Sequence, residues 1–296
     1  MKKEIKALLR SLLGRTTPPP LPTYPNLHLP ATEAKLISLP RGGKCYFRET
    51  LSDFARVNEH GSGIYVPQVA FTDAVRDLKP TLLVDVGANI GLSSLSLLQE
   101  LPSITKVVGL EAERENYQCL EKNYGLWSES FSQLAASSVP RDEIELIPLW
   151  VLASAGQGEG IAQTLSYLPG GLSASGTFAP TAKIITGPEK QDDSRPGLDT
   201  IVIASKKIQL NQVLGKYGDT KDTMVVKIDI EGGEEELLSD NVEWLERTAF
   251  LTIEVHDRFG VPRSSQPLLQ RLIEYNFAIV PEKDILHCFN RTLLQL

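Results

Sequence analysis

The 296-residue chain is poor in the residues that build disulfide scaffolds and metal centres, with three cysteines and four histidines. Cys45, Cys119 and Cys288 lie far apart and form neither a CxxC pair nor a Cys/His cluster, which excludes a disulfide framework and a zinc site of the usual spacing. Reduced thiols in a cytoplasmic protein are expected. No run of 18 apolar residues occurs, so no membrane-spanning helix is expected. Positive charge is also scarce, with 30 Lys and Arg against 37 Asp and Glu and a net charge of −7. Duplex binding relies on clustered cations, so nucleic acid is excluded as the main partner. Apolar residues, in contrast, make up 42% of the chain, enough at this length to bury a large core.

The strongest local signal is Thr81-Leu82-Leu83-Val84-Asp85-Val86-Gly87-Ala88-Asn89-Ile90-Gly91. A continuous Leu/Val run suits a strand covered on both faces, and it ends in an acidic residue and a two-glycine turn. Gly87 and Gly91 are expected to bring backbone close to a ligand, and a helix from Leu92 to Gln99 follows. About 20 residues on, a second apolar strand, Lys106 to Leu110, ends in Glu111, whose carboxylate can accept both ribose hydroxyls of an adenosine cofactor. The third glycine of a pyrophosphate-binding turn has no counterpart in Gly87-Ala88-Asn89-Ile90-Gly91. An adenosine cofactor without phosphates is therefore favoured over the dinucleotide of an oxidoreductase.

Three blocks, VDVGANIGLSS (84 to 94), VVGLEAERENYQCLEKNY (107 to 124) and VVKIDIEGGEEELL (225 to 238), precede FLTIEVHD (250 to 257). In this wording the chain resembles the FkbM-type methyltransferases that depend on S-adenosylmethionine (AdoMet), over roughly residues 65 to 290. Glu111-Ala112 departs from the Glu-Pro of many members, which alters the loop but not the carboxylate. The resemblance implies AdoMet as cofactor, O-methylation of a hydroxyl on a sugar, glycolipid or secondary metabolite, and a seven-stranded sheet with its last strand reversed.

Alternating strands and helices imply an α/β fold with a doubly wound, mostly parallel sheet. Helices are expected at 66–78, 91–99, 113–124, 208–216, 233–246 and 266–275. Strands are expected at 82–86, 106–111, 144–151, 201–203, 224–230 and 250–255. Phe277 to Val280 and Ile285 to Phe289 are close enough only for an antiparallel hairpin. Residues 65–296 form the AdoMet-binding domain in this reading, and 23–64 an extension packed on it. Residues 155–200 form an irregular insertion holding eight of the 22 glycines, expected to cover the substrate side or to be purely structural.

Residues 1–22 stand apart. Lys2, Lys3, Lys6, Arg10 and Arg15 oppose only Glu4, while Ile5, Leu8, Leu9, Leu12 and Leu13 recur at helical spacing before a proline-rich spacer. This basic amphipathic helix is expected to dock on its own domain, to self-associate, or to touch an anionic membrane peripherally. Arg10 interrupts the apolar stretch and no small-residue cleavage site follows, so no secretory leader is expected.

Open α/β sheets bind ligands at the carboxyl ends of their strands. There Asp229 and Glu231 flank Ile230, and Glu254 and His256 flank Val255, each pair pointing the same way. Methyl transfer to a hydroxyl benefits from a base that removes its proton, and His256 titrates nearest neutrality. Glu254, Glu231 or Asp229 would orient the base or bind acceptor hydroxyls. The alternative, a divalent cation on this acidic cluster, is not favoured, since no second histidine or dense carboxylate set completes a site. Cofactor contacts are expected from Asp85, Gly87, Ala88, Asn89, Gly91 and Glu111, and from Trp150 at the adenine. The acceptor is a small molecule or glycan. A non-catalytic binding protein on the same scaffold is the alternative reading.

Overall fold

The computed structural model describes residues 33–67, 70–134, 144–153, 158–167, 185–186, 198–219, 221–230, 233–255 and 265–296. A hairpin, β1 (Lys35–Ser38) and β2 (Lys44–Phe47), leads into α1 (Leu51–Ser62) and α2 (Ala70–Leu78). Strand β3 (Leu82–Val86), α3 (Leu92–Glu100), β4 (Lys106–Glu111), α4 (Arg114–Leu134) and β5 (Glu145–Trp150) follow in alternation. Next come β6 (Leu152–Ala153), β7 (Gly158–Tyr167), β8 (Ile185–Thr186), β9 (Leu198–Ile208) and α5 (Leu210–Tyr217). The chain continues through β10 (Met224–Ile228), α6 (Glu234–Leu237), a 3-10 turn (Glu243–Arg247), β11 (Thr248–Glu254) and α7 (Ser265–Glu274). It closes with β12 (Phe277–Glu282), β13 (Ile285–Asn290) and α8 (Arg291–Leu294).

Seven strands form the main sheet in the order β12-β13-β11-β10-β3-β4-β5. The pairs from β11 through β5 are parallel, and β13 runs antiparallel to both β11 and β12. This is the mostly parallel sheet with a terminal antiparallel hairpin that the strand pattern implies. Lys283 and Asp284 alone separate β12 from β13, and Lys283 takes a left-handed φ of 56° to close the turn.

Alternation along the strands splits the core in two. Leu83, Val107, Val225 and Phe250 pack with α3 and α4 on one face; Leu82, Val84, Val108, Val226 and Leu251 pack with α5, α7 and the 3-10 turn on the other. Every residue of β3 and β10 is buried, as two-sided cover requires.

Three elements differ from the expectations. Within 155–200, β7 and β9 pair antiparallel from Gly158↔Lys207 to Tyr167↔Leu198, so part of the segment expected to be irregular is sheet. Gly158 and Gly160 break the period-2 signal that would have marked the strand. The helix expected over 233–246 stops after one turn, because Ser239-Asp240-Asn241 forms a turn in which Asn241 has a φ of 55°. Helix α1 was not expected at all. The helix expected within 1–22 lies outside the described residues. Among the described residues no helix is long and apolar enough to cross a membrane.

Candidate active site

The chain enters the main sheet at its centre, winds outward through β4 to β5, then returns to β10 on the other side of β3. The reversal leaves a crevice at the carboxyl ends of β3 and β10. A cleft of about 560 Å³, continuous with solvent, lies there. Its walls are Gly87 and Asn89 after β3, Glu111 and Ala112 at the end of β4, Val151 and Ala153 beyond β5, and Asp229 and Ile230 after β10. Ser52 and Arg56, one turn apart on α1, close the remaining side.

Local chemistry fixes each wall. Gly87 has a φ of 76°, and a Cβ on it would overlap the carbonyl oxygen of Asp229 and sit 2.8 Å from that carbonyl carbon. Only glycine lets β3 and β10 end this close together. The amides of Gly87 and Ala88 both donate to Leu110 O at 2.9 Å, tying the turn to β4. Asn89 takes the left-handed conformation with a φ of 51°, which asparagine tolerates, and its amide donates to Glu111 Oε2 at 2.8 Å. Glu111 Oε1 accepts from the Glu113 amide at 2.8 Å. Burial nonetheless prevails over these two hydrogen bonds and pushes the Glu111 carboxyl up to about 7.

Beneath the turn lies a buried ladder of charges. Asp85, fully buried, accepts from the hydroxyls of Ser93 and Ser94 at 2.6 Å each and so holds the first turn of α3. Lys227, 2% exposed, donates to Gly87 O at 2.6 Å and lies 3.4 Å from Asp85 Oδ1 and 3.6 Å from Asp229 Oδ2. Burial alone would lower the lysine, but the carboxylates of Asp85 and Asp229 outweigh it and hold the ammonium above its ordinary range. Arg56 reaches down from α1 to Asp229 Oδ2 at 2.9 Å and to Glu59 Oε1 at 2.8 Å, and the Tyr65 hydroxyl bonds Glu59. Burial, only partly offset by Arg56, raises the Glu59 carboxyl above its usual value.

Helix α1 is itself firmly anchored. Thr50 caps its N-terminus by accepting from the Asp53 amide, a contact of about 1 kcal/mol. Asp53, fully buried, forms an ion pair with Arg48 at 2.6 Å.

Of the residues expected at the cofactor, Gly87, Asn89 and Glu111 line the cleft. Asp85 acts one layer below, and Ala88 is buried in the core. Gly91 faces the other way: a Cβ there would meet Leu120, Tyr124 and Trp127 at 2.9 to 3.1 Å, so this glycine admits α4 rather than a ligand. Trp150 is 41% exposed on the outermost strand, donates its indole N–H to Ala112 O at 2.9 Å, and stacks on Tyr117. It does not line the cleft. Of the residues expected in catalysis, Asp229 lines the cleft, Glu254 ends β11 half-buried, and Glu231 and His256 lie outside the described residues. Arg56, Ser52 and Lys227 were not singled out in the sequence. The three cysteines are buried and free, and burial pushes Cys45 up to about 12 and Cys119 up to about 11. Among the described residues no group of three or more His, Cys, Asp or Glu could hold a metal ion.

Solved structures that match the chain include a methyltransferase FkbM from Methylobacillus flagellatus KT, at 16% identity and a TM-score of 0.41, covering 80% of this chain and 53% of that one. Trm1 from Pyrococcus horikoshii, solved with S-adenosyl-L-methionine, matches at 12% identity and a TM-score of 0.39, covering 86% of this chain and 60% of that one. TrmK from M. capricolum, solved with S-adenosyl-homocysteine, matches at 10% identity and a TM-score of 0.31, covering 75% and 68%. The chain thus spans little more than half the length of the first two. No curated protein matches it. The sequence model of the methyltransferase FkbM domain matches residues 85–279, from the acidic end of β3 into β12, and so includes Gly87, Asn89, Glu111 and Asp229 of the cleft. With two thirds of its length matched in this way, the chain belongs to the FkbM methyltransferase family.

Proposed function

We propose that the protein is an AdoMet-dependent methyltransferase that methylates a hydroxyl of a sugar, glycolipid or secondary metabolite. The observation that carries the reading is the Glu111 carboxylate in the cleft wall. Each of its oxygens accepts one backbone N–H, from Asn89 and Glu113. A carboxylate has about four lone-pair sites, so one on each oxygen is left for a ribose diol. The fit extends to the rest of the cleft. Ala112, Val151 and Ala153 offer an apolar slot for a base, and the turn has no phosphate-binding third glycine.

Bound there, AdoMet would supply an activated methyl group that needs only in-line approach by a nucleophile. The chain's own work is then to hold the acceptor and take its proton. Asp229, fixed between Arg56 and Lys227, presents a carboxylate to the cleft. His256, two residues in sequence after the end of β11, is the proposed base, with Glu254 or Glu231 orienting it. The N-terminal segment, residues 1–16, is proposed as a peripheral membrane contact or a self-association helix.

Calorimetric titration with AdoMet, S-adenosylhomocysteine (AdoHcy) and NADH tests the cofactor, using wild type and Glu111→Ala. The first two should bind and the substitution should weaken them at least tenfold. No AdoMet binding by folded protein would remove the reading, and NADH binding would favour an oxidoreductase. An acceptor screen with His256→Ala as control follows; AdoMet bound without turnover of any hydroxyl acceptor would point to a non-catalytic binding protein.

A further inference from the structure

Helix α1 precedes residues 85–279, yet Ser52 and Arg56 form a wall of the cleft. The Arg56 guanidinium divides its two terminal nitrogens, one to Asp229 Oδ2 at 2.9 Å and the other to Glu59 Oε1 at 2.8 Å. The side chains of Arg56 and Asp229 are only 18% and 7% exposed. An exposed pair would contribute little. A pair this buried costs desolvation of both ions, and replacing such a pair by apolar groups is often neutral, so stability is a poor account of why it is here. Geometry is a better one. Arg56 gives Asp229 Oδ2 one directional, charge-assisted N–H···O bond from a nitrogen whose orientation is fixed by the bond of its twin to Glu59, whereas the Lys227 ammonium, 3.6 Å from the same oxygen, lies beyond hydrogen-bond distance and acts as a point charge.

We propose that Arg56 is a positioning residue that fixes the Asp229 carboxylate in the cleft, so that a helix preceding the family domain completes the methyl-transfer site. The inference builds on the AdoMet-dependent reading above. Other charged groups share the site. Lys227 on β10 and Glu59 on α1 act on Asp229 directly, Asp85 on β3 acts through Lys227, Glu254 on β11 acts on the guanidinium, and Tyr65 bonds Glu59. Removing the guanidinium takes away the hydrogen-bonding cation and leaves the neighbouring Glu59 charge uncompensated, and both changes favour protonation of Asp229.

The test is the pH titration of the Asp229 carboxyl carbon by NMR in the full chain labelled at aspartate, assigned with Asp229→Asn. Arg56→Gln should raise the proton affinity of Asp229 at least tenfold and weaken AdoHcy at least fivefold, and Arg56→Lys should move both back toward wild type. A titration within twofold of wild type in Arg56→Gln overturns the proposal, whatever the AdoHcy affinity. If the Gln variant does not fold, Glu59→Gln serves: it leaves the guanidinium to Asp229 and should lower the proton affinity of that carboxylate, and a rise overturns the proposal. Wild-type protein that fails to bind AdoHcy would sink the cofactor reading alone, because the Asp229 titration is read without ligand.

Discussion

Replacing Gly87 by alanine should strike fold and site together. The residue has a φ of 76°, where an L side chain costs about 1–2 kcal/mol. The added Cβ would also lie 2.8 Å from the Asp229 carbonyl carbon and 3.2 Å from Ile230 Cγ2. Both neighbours are held, since the Asp229 amide donates to Val86 O at 3.0 Å and Ile230 is buried. The strand ends must therefore part, at a cost typical of overpacking, roughly 1–3 kcal/mol. Together these terms give roughly 2–5 kcal/mol, which at about 2–4 °C per kcal/mol lowers the melting temperature by roughly 4–20 °C. Gly125 is the internal control: it is exposed within α4, a Cβ there would have open space around it, and alanine should stabilise by about 0.5–1 kcal/mol. Urea and thermal unfolding of the two variants give the comparison. A Gly87→Ala protein as stable as wild type would refute the argument that the close approach of β3 and β10 requires glycine.

Three further outcomes follow from the buried charges. Lys227→Met leaves the Asp85 and Asp229 carboxylates without their shared cation, a loss of roughly 3–5 kcal/mol, read as a fall of roughly 6–20 °C in thermal midpoint. Burial lowers His287 to about 4, neither ring nitrogen has a hydrogen-bond partner, and Glu282 stands 3.6 Å from Nε2. Its contribution to stability is therefore complete above about pH 6.5 and is lost as pH falls from there toward 4, because the unfolded chain takes up the proton first. His287→Phe should shrink the stability difference between pH 7.5 and pH 5 by about 2 kcal/mol, and an unchanged difference in urea unfolding would contradict it. Glu111, raised to about 7 by burial, must be ionised to accept a ribose diol, so AdoMet binding at pH 6 should release up to about one proton and at pH 8 almost none. Calorimetry in buffers of different ionisation enthalpy measures this, and proton uptake at pH 6 would contradict it.

The sheet was legible in the sequence because β3, β4, β10 and β11 are apolar runs ending at acidic residues, and periodicity reports two-sided burial directly. Glu111 and Asp229 were legible for the same reason, as the polar residues that end such runs. Helix α1 was not: Asp53 and His60 on its buried side are polar, so its apolar stripe is broken, and only Thr50-x-x-Asp53 and Gly63 marked its ends. Lys227 stands inside an apolar run where a cation reads as an exposed or edge position. Its partners Asp85 and Gly87 O lie about 140 residues away in sequence, beyond the reach of any local pattern. The surroundings of Trp150 were not legible either, since strand order decides that β5 is outermost, and a single strand does not reveal its place in the order.

The position of β13 bears on how the protein is made. It lies between β11 and β12, both of which precede it in the chain. A ribosome therefore delivers the whole parallel half of the sheet while the far edge of β11 has no partner, and the gap closes only after Asn290 has left the exit tunnel. Until then Phe250, Leu251 and Ile253 flank an open edge, the kind of surface that chaperones hold and that pairs wrongly with other nascent chains. A synthesis stall before Ile285 would thus release a chain with every cleft-lining residue in place and a sheet that cannot be finished.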